Sequence, residues 1–126
     1  MSVIVTDTGF GPDTWSHGFE GAQALDLASD AQIDDVQVAG IEAIRIDFPS
    51  FADGRGFTLA RLLRLRGFQG RLRARGHVIA DQYAMARRAG FDEVEIDNEL
   101  AARQPEDQWL FRANWRDNNY QSRLRG

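Results

Sequence analysis

The stretch AIRIDF, residues 43–48, alternates apolar and charged side chains, and this alternation decides the fold. Two later stretches, RLRAR at 71–75 and EVEI at 93–96, repeat the pattern. Successive side chains of a β-strand point to opposite faces, so each stretch predicts a strand with one apolar face and one charged face. Parallel strands that are covered on both faces usually have continuous apolar runs instead. We therefore expect helices on one face of a sheet and polar groups on the other.

The segments between these strands predict helices. Thr58 is a candidate N-cap for a helix that carries Leu59, Leu62 and Leu63 on one side, and a second helix is expected from about Val78 to Ala89. Alternating strands and helices favour an α/β fold with a mainly parallel sheet of repeated β-α units. Such a sheet can be half-barrel-like or an open layer.

The charged face predicts ion pairs between neighbouring strands. The strand at 71–75 is basic on this face, and the strand at 93–96 is acidic. If successive strands are neighbours, Arg73 can lie between Asp47 and Glu95 in a cross-strand ladder. The charged face is then solvated, turned inward, or closed by a second copy of the chain in a homo-oligomer.

The chain of 126 residues fits one domain with one core. Residues 1–20 are expected to form a small β ornament with a hairpin, residues 24–97 the β-α core, and residues 116–126 a polar tail. The segment from Trp109 to Trp115 predicts a β-like stretch packed on the core, because its aromatic residues stand at nearly alternate positions.

The composition excludes several classes of function. The chain has no cysteine, which removes disulfides, thiolate nucleophiles and cysteine-ligated metals. Its two histidines give little support to a metal site, and no cofactor motif is present. The net charge of −4 argues against a nucleic-acid partner. No apolar run approaches the ~20 residues of a membrane span, and no secretory signal is visible, so we expect a cytoplasmic protein.

A glycine-containing turn after the strand that ends at Phe48 predicts half of an anion site. Gly54, Arg55 and Gly56 precede a helix, whose free N–H groups and dipole favour an anion. The turn is not a dinucleotide fingerprint, since the third glycine of that motif is missing. In the alternative interpretation, the glycines only allow a tight loop and Arg55 pairs with Asp53 or a nearby acid.

Arg75, Gly76 and His77 follow the next strand and predict the other half of this site. Arg55 and Arg75 would together grip a phosphate, sulfate or sulfite. His77 is the candidate proton donor or acceptor, and Asp81 is the candidate to orient it, so these two are the catalytic candidates. Alternatively, His77 only begins the helix, and Asp81 is a first-turn acid that complements the helix dipole.

These motifs together resemble a bacterial family. The matching runs are DFPSFADGRGFT (47–58), RLLR (61–64), LRARG (72–76), DQ (81–82) and GFD (90–92). They are similar to uncharacterised proteins that are labelled as oxidoreductases involved in sulfite reduction and are encoded beside sulfite reductase genes. The resemblance implies a role in sulfur assimilation, with sulfite reductase or another sulfur-assimilation protein as partner. Family members often have a cysteine where this chain has Ala89, so a thiol mechanism does not transfer.

Two functions are therefore expected. The first is an accessory protein of assimilatory sulfite reduction, which acts through protein contact or by binding a small oxyanion. The second is a small α/β enzyme that acts on a phosphorylated or sulfated metabolite at the carboxyl ends of the strands. Whether the chain is an enzyme stays open at this point.

Overall fold

The computed structural model describes residues 2–15, 18–19 and 23–113. The strands are β1 (Ser2–Thr6), β2 (Gly9–Gly11), β3 (Ala24–Ala28), β4 (Ala43–Phe48), β5 (Arg71–Gly76) and β6 (Glu93–Asp97). The helices are α1 (Arg55–Leu65), α2 (Tyr83–Ala89), α3 (Asn98–Arg103) and α4 (Glu106–Leu110), with short 3-10 turns at Ile33–Asp35 and Ala80–Gln82. The polar tail that the sequence predicts at 116–126 lies outside the described residues.

The described strands form one sheet in the order β2-β1-β6-β5-β4-β3. Strands β3 to β6 are parallel neighbours in sequence order, while β1 pairs antiparallel with both β6 and β2. This confirms the predicted α/β class, with a mainly parallel sheet and an N-terminal hairpin. The sheet is an open layer, with β2 and β3 at its edges. The hairpin also extends the main sheet, since Ser2 pairs with Asp97 and Val5 with Val94.

The apolar face of the sheet packs against the helices. Strands β3 to β6 follow one another in order, so right-handed crossovers carry the connecting helices to the same face. Ile44 and Ile46 of β4 are fully buried in the apolar cluster on this face. The four helices contribute Leu63, Ala86, Leu100 and Trp109 to the same cluster. The alternate residues of the strands therefore point to the opposite, helix-free face.

The pairing register differs from the predicted ladder. Arg73 lies opposite Arg45 and Glu93. The predicted neighbours of Arg73 were Asp47 and Glu95, and the residue that lies between these two is Arg75. The prediction was wrong by two residues because a shift of two leaves every side chain on its own face, so alternation cannot detect it. The long guanidinium of Arg73 still reaches the Glu95 carboxylate, 2.9 Å away, on the diagonal.

The first helix begins four residues earlier than predicted. Gly54 is its N-cap, and Thr58 lies inside the helix instead of capping it. The side chain of Asp53 takes the capping role, because its Oδ1 accepts the backbone N–H of Arg55 at 3.0 Å.

The β-like segment predicted from Trp109 to Trp115 is also wrong over its described part, since Trp109 belongs to α4, while Trp115 lies outside the described residues. Pro105 is the N-cap of this helix, and two acids in its first turn, Glu106 and Asp107, complement the helix dipole. Trp109 is 1% exposed, and its indole N–H donates to the carbonyl of Gln104. A single helical turn is enough to bury this side chain.

Candidate functional site

The described residues between β2 and β3, residues 12–15 and 18–19, lie beside the helix-free face, and we call them the crossing segment. The strands β2 and β3 lie at opposite edges of the sheet, five strand spacings or about 24 Å apart. Asp13 shows which face it takes. Its carboxylate accepts from Nη2 and Nη1 of Arg73 at 2.7 and 3.0 Å, and Arg73 points away from the helices. The crossing segment therefore covers part of the charged face.

Aromatic side chains of the crossing segment also contact the arginines of this face. The ring of Phe19 lies 4.4 Å from the guanidinium carbon of Arg45 and 5.1 Å from that of Arg73. The ring of Trp15 lies 5.9 Å from the guanidinium carbon of Arg71. A cation is attracted to the face of an aromatic ring, most strongly where water is excluded. These contacts define the covered part of the helix-free face.

Arg73 is the centre of the covered part. It is 0% exposed, and it pairs with Glu93 through Nε at 2.5 Å and with Glu95 through Nη1 at 2.9 Å, in addition to Asp13. Burial alone would lower the pKa of Arg73, but its bond with Asp13 and the charges of Glu93 and Glu95 raise that pKa above its ordinary value. The guanidinium thus stays charged inside the protein.

The bond from Arg73 also lowers the pKa of Asp13 below its ordinary value of 3.8, against the smaller opposing effect of burial. The ionised carboxylate therefore stabilises the fold at any pH above the unfolded pKa, and this contribution is lost as the pH falls through the folded pKa. We expect the difference in free energy of unfolding between the unsubstituted chain and Asp13→Asn to be constant from neutral pH to about pH 5, and to shrink below about pH 4. Urea unfolding at several pH values checks this, and a difference that grows in acid would contradict it.

The uncovered part of the helix-free face is a cleft at the carboxyl ends of β4, β5 and β6. Its volume is about 410 Å³. Ligands of open α/β sheets bind at this end of the strands. The cleft contains three residues that the sequence predicted, Arg75, Gly76 and His77, and it is also lined by Ser2, Asp47, Phe48, Pro49, Glu95, Ile96 and Asp97. We call it the strand-end cleft.

Arg75 does not offer a free positive charge to this cleft. It lies between Asp47 and Glu95, at 3.4 and 3.5 Å, and its side chain is 46% exposed. Asp97 adds a third carboxylate to the lining. Among the described residues, Glu95 also pairs with Arg45 and Arg73, whereas Asp47 pairs with Arg75 alone and Asp97 with no arginine. Asp47 and Asp97 therefore make the lining more favourable to a positively charged group than to an anion.

His77 is held at the mouth of the strand-end cleft by its backbone and its ring. Its backbone N–H donates to the carbonyl of Phe48 at 3.0 Å, and Nδ1 lies 3.2 Å from the same oxygen. A carbonyl can only accept, so this contact requires the proton on Nδ1 and leaves Nε2 available to a ligand. The ring packs edge-on against Phe51. Gly76 has φ +107°, and a Cβ there would lie 2.8 Å from the Phe48 oxygen, which explains the glycine.

Asp81, the predicted partner of His77, lies in a different cleft. Its Oδ1 accepts from Nη2 of Arg112 at 2.8 Å, and it lines a cavity with residues of α4 and the turn that follows. Among the described residues, no carboxylate forms a hydrogen bond with His77. The predicted catalytic pair is not assembled.

The arginine of the Gly54-Arg55-Gly56 turn is paired with a carboxylate of the same chain, Asp53. Asp53 accepts from Nε and Nη2 of Arg55 at 3.0 and 2.8 Å, and from the hydroxyl of Ser29 at 2.7 Å. The bond with Arg55, followed by that with Ser29, lowers the pKa of Asp53 well below its ordinary value. The structure therefore contains the ion pair of the alternative interpretation, in which Arg55 pairs with Asp53.

Arg55 and Arg75 also lie in different clefts. Arg55 lines a second cavity, of about 330 Å³, with Ser29 and Leu59, whereas Arg75 lines the strand-end cleft. Gly56 is required by packing, because a Cβ there would collide with the ring of Phe48. The structure does not bring the two halves of the predicted oxyanion grip together.

Sequence reasoning missed the role of Asp13 and of the two aromatic residues that follow it. The available signal was topological. A hairpin at one edge and β3 at the other edge require a crossing, and an acid in that crossing can meet the buried arginine of the central strand. The described residues contain no group of three or more metal-ligating side chains placed to hold an ion. Among the described helices, none has the length and apolar character needed to cross a membrane.

Fold and site together define an α/β protein whose open parallel sheet carries helices on one face and a partly covered ionic network on the other. Residues 24–126 match the family model of bacterial protein of unknown function (DUF934), and the chain belongs to this family. The match includes β3 to β6 and every residue named in the lining of the strand-end cleft except Ser2, and it begins after the crossing segment. No curated protein and no solved structure matched the chain.

Proposed function

We propose that the protein is an accessory protein of assimilatory sulfite reduction and that it acts by binding a partner, not by catalysis. The pathway comes from the resemblance of its motifs to proteins encoded beside sulfite reductase genes. The binding role is supported by one observation above all: His77 lies in the strand-end cleft, while its predicted partner Asp81 is bonded to Arg112 elsewhere. The ring of His77 is instead oriented by the carbonyl of Phe48, so the described residues give it no carboxylate partner that would support acid-base catalysis.

The partner that we propose is sulfite reductase or another sulfur-assimilation protein. The strand-end cleft is complementary to a basic side chain, because Asp47 and Asp97 line it and Arg75 is the one arginine of its described lining, while Glu95 is shared with Arg45 and Arg73. Electrostatic complementarity of this kind steers association and sets specificity. A lysine or arginine of the partner would bond to Asp47, whose side chain is 44% exposed and thus accessible.

Affinity purification from cells grown on sulfate tests this role. The tagged protein is expected to recover sulfite-reduction components, and Asp47→Lys is expected to reduce that recovery about tenfold or more, since like charges across an interface cost several kcal/mol. Asp26→Lys is the matched control. Asp26 is similarly exposed and also pairs with an arginine, Arg45, but it does not line the cleft. Equal losses for the two variants would contradict a contact at the cleft.

The second candidate is a small enzyme acting on a phosphorylated or sulfated metabolite. The observation that favours it is the position of His77 and Arg75 at the carboxyl ends of parallel strands, where α/β enzymes bind substrates. Calorimetry with inorganic phosphate and sulfate separates the candidates. This enzyme requires binding that Arg75→Ala abolishes and that Arg55→Ala, in the other cleft, leaves unchanged. Absence of binding to the unsubstituted chain defeats it.

A further inference from the structure

Two arginines of β5 lie under the crossing segment, and their hydrogen-bond partners are unequal. Arg73 bonds to Glu93 and Glu95 of the neighbouring strand and to Asp13 of the crossing segment. In contrast, Nη1 of Arg71 is buried, and no atom of the described residues accepts a hydrogen bond from it. Its Nε is 3.8 Å from Glu93. A buried donor without an acceptor is rare and calls for an explanation.

Asp13 is the exchangeable partner of Arg73. Glu93 and Glu95 are buried strand residues, whereas Asp13 lies in a connecting segment and its side chain is 48% exposed. Both of its carboxylate oxygens bond to Arg73, and neither forms a hydrogen bond with Nη1 of Arg71. The acids of the described residues therefore leave one hydrogen-bond donor in the covered part, Nη1 of Arg71, without an acceptor.

We infer that Arg71 and Arg73 form a seat for a small oxyanion, which the carboxylate of Asp13 occupies when no anion is bound. The two arginines are two residues apart on one strand, so their side chains leave the same face about 6.6 Å from each other. Sulfite, sulfate and phosphate have three or four oxygens, so one anion can accept from Nη2 of Arg73 and from Nη1 of Arg71 together. Guanidinium groups bind such oxygens through strong charge-assisted bonds.

Binding at this seat loosens the crossing segment. Asp13 is displaced, and its Oδ1 also accepts the backbone N–H of Trp15, whose ring contacts Arg71. A free oxyanion thus takes the place of the tethered carboxylate and releases Asp13 and Trp15 from the helix-free face. The seat goes beyond the proposed function, because it requires neither a partner protein nor sulfite reduction.

Calorimetric titration of the full chain with sulfate tests the seat. Asp13→Ala is expected to bind sulfate about tenfold or more tightly than the unsubstituted chain, since the anion no longer competes with a tethered carboxylate. Adding Arg71→Gln to Asp13→Ala is expected to reverse the gain, because it removes the second donor. Phosphate and sulfite are titrated in the same way, with chloride at equal ionic strength as the reference anion.

Asp47→Ala is the matched control, because it removes one carboxylate that is 44% exposed and paired with an arginine of the same strand, Arg75. An equal gain for Asp47→Ala, or no sulfate binding to Asp13→Ala, would overturn the inference. If Asp13→Ala does not fold, hydrogen exchange of the unsubstituted chain decides. Sulfate is expected to speed exchange at residues 13–15, and unchanged exchange would contradict the seat. The partner purification described above does not depend on this result.

Discussion

Replacing Arg73 with alanine is expected to lower the free energy of unfolding by about 3–5 kcal/mol, because it leaves buried carboxylates without their counter-charge. Glu93 is 5% exposed and Glu95 is 8% exposed, and both bond directly to the Arg73 guanidinium. Breaking a buried pair on one side costs more than the pair itself contributes, since the remaining charge stays in a poorly solvated place. The same variant also frees Asp13 and thus the crossing segment.

Urea denaturation followed by tryptophan fluorescence measures this loss. Arg103→Ala is the control, because Arg103 pairs with Glu99 on the surface at 3.6 Å and such pairs contribute only about 0.3–0.5 kcal/mol. The double variant Arg73→Met with Glu93→Gln is expected to be more stable than Arg73→Ala, since it removes one stranded charge and fills the space. A loss for Arg73→Ala no larger than the control loss would show that the network is not buried in solution.

Replacing Arg64 with alanine is expected to cost about 3 kcal/mol, because it strips the donors from several partly buried carbonyls at once. Arg64 donates to the carbonyl of Gly90 from Nε and Nη2, at 3.0 and 2.8 Å. Its Nη1 donates to the carbonyls of Phe68 and Gly70 at 3.1 and 2.8 Å, and Nη2 also reaches Asp92. One side chain therefore joins the end of α1 to the turns before β5 and after α2.

The same unfolding measurement checks Arg64. Arg64→Lys is expected to recover only part of the loss, because a single ammonium cannot reproduce the planar fork that serves all these acceptors. Arg66→Ala is the neighbouring control, with an exposed side chain and an exposed partner, Asp34. Full stability in Arg64→Lys would mean that charge alone, not the geometry of the donors, holds the turns.

The strands and their faces could be predicted from the sequence because alternation is a local property. AIRIDF and RLRAR each assign apolar and charged side chains to opposite sides without reference to any other strand. The register could not be predicted. Arg73 and Arg75 stand on the same face, and the choice between them as the neighbour of Asp47 depends on where β5 begins relative to β4.

The candidate site was predicted in its position but not in its electrostatics. Arg75 and His77 do line a cleft at the carboxyl ends of the strands, as parallel topology requires. The charges around them could not be predicted from spacing. Arg55 took a partner only two residues away, Asp53, while Arg73 took Asp13, which is sixty residues distant in the chain. Only the strand order shows that the contact between Arg73 and Asp13 is possible.

Growth on sulfate as the only sulfur source tests the proposed accessory role most directly. We expect a deletion strain to require a reduced sulfur source, and we expect the His77→Asn variant, expressed at the normal level, to restore growth on sulfate. Normal growth of the deletion strain on sulfate would contradict a role in sulfite reduction. Failure of a folded His77→Asn variant to restore growth, while it still recovers the partner at the normal level, would contradict the non-catalytic role and favour the enzyme.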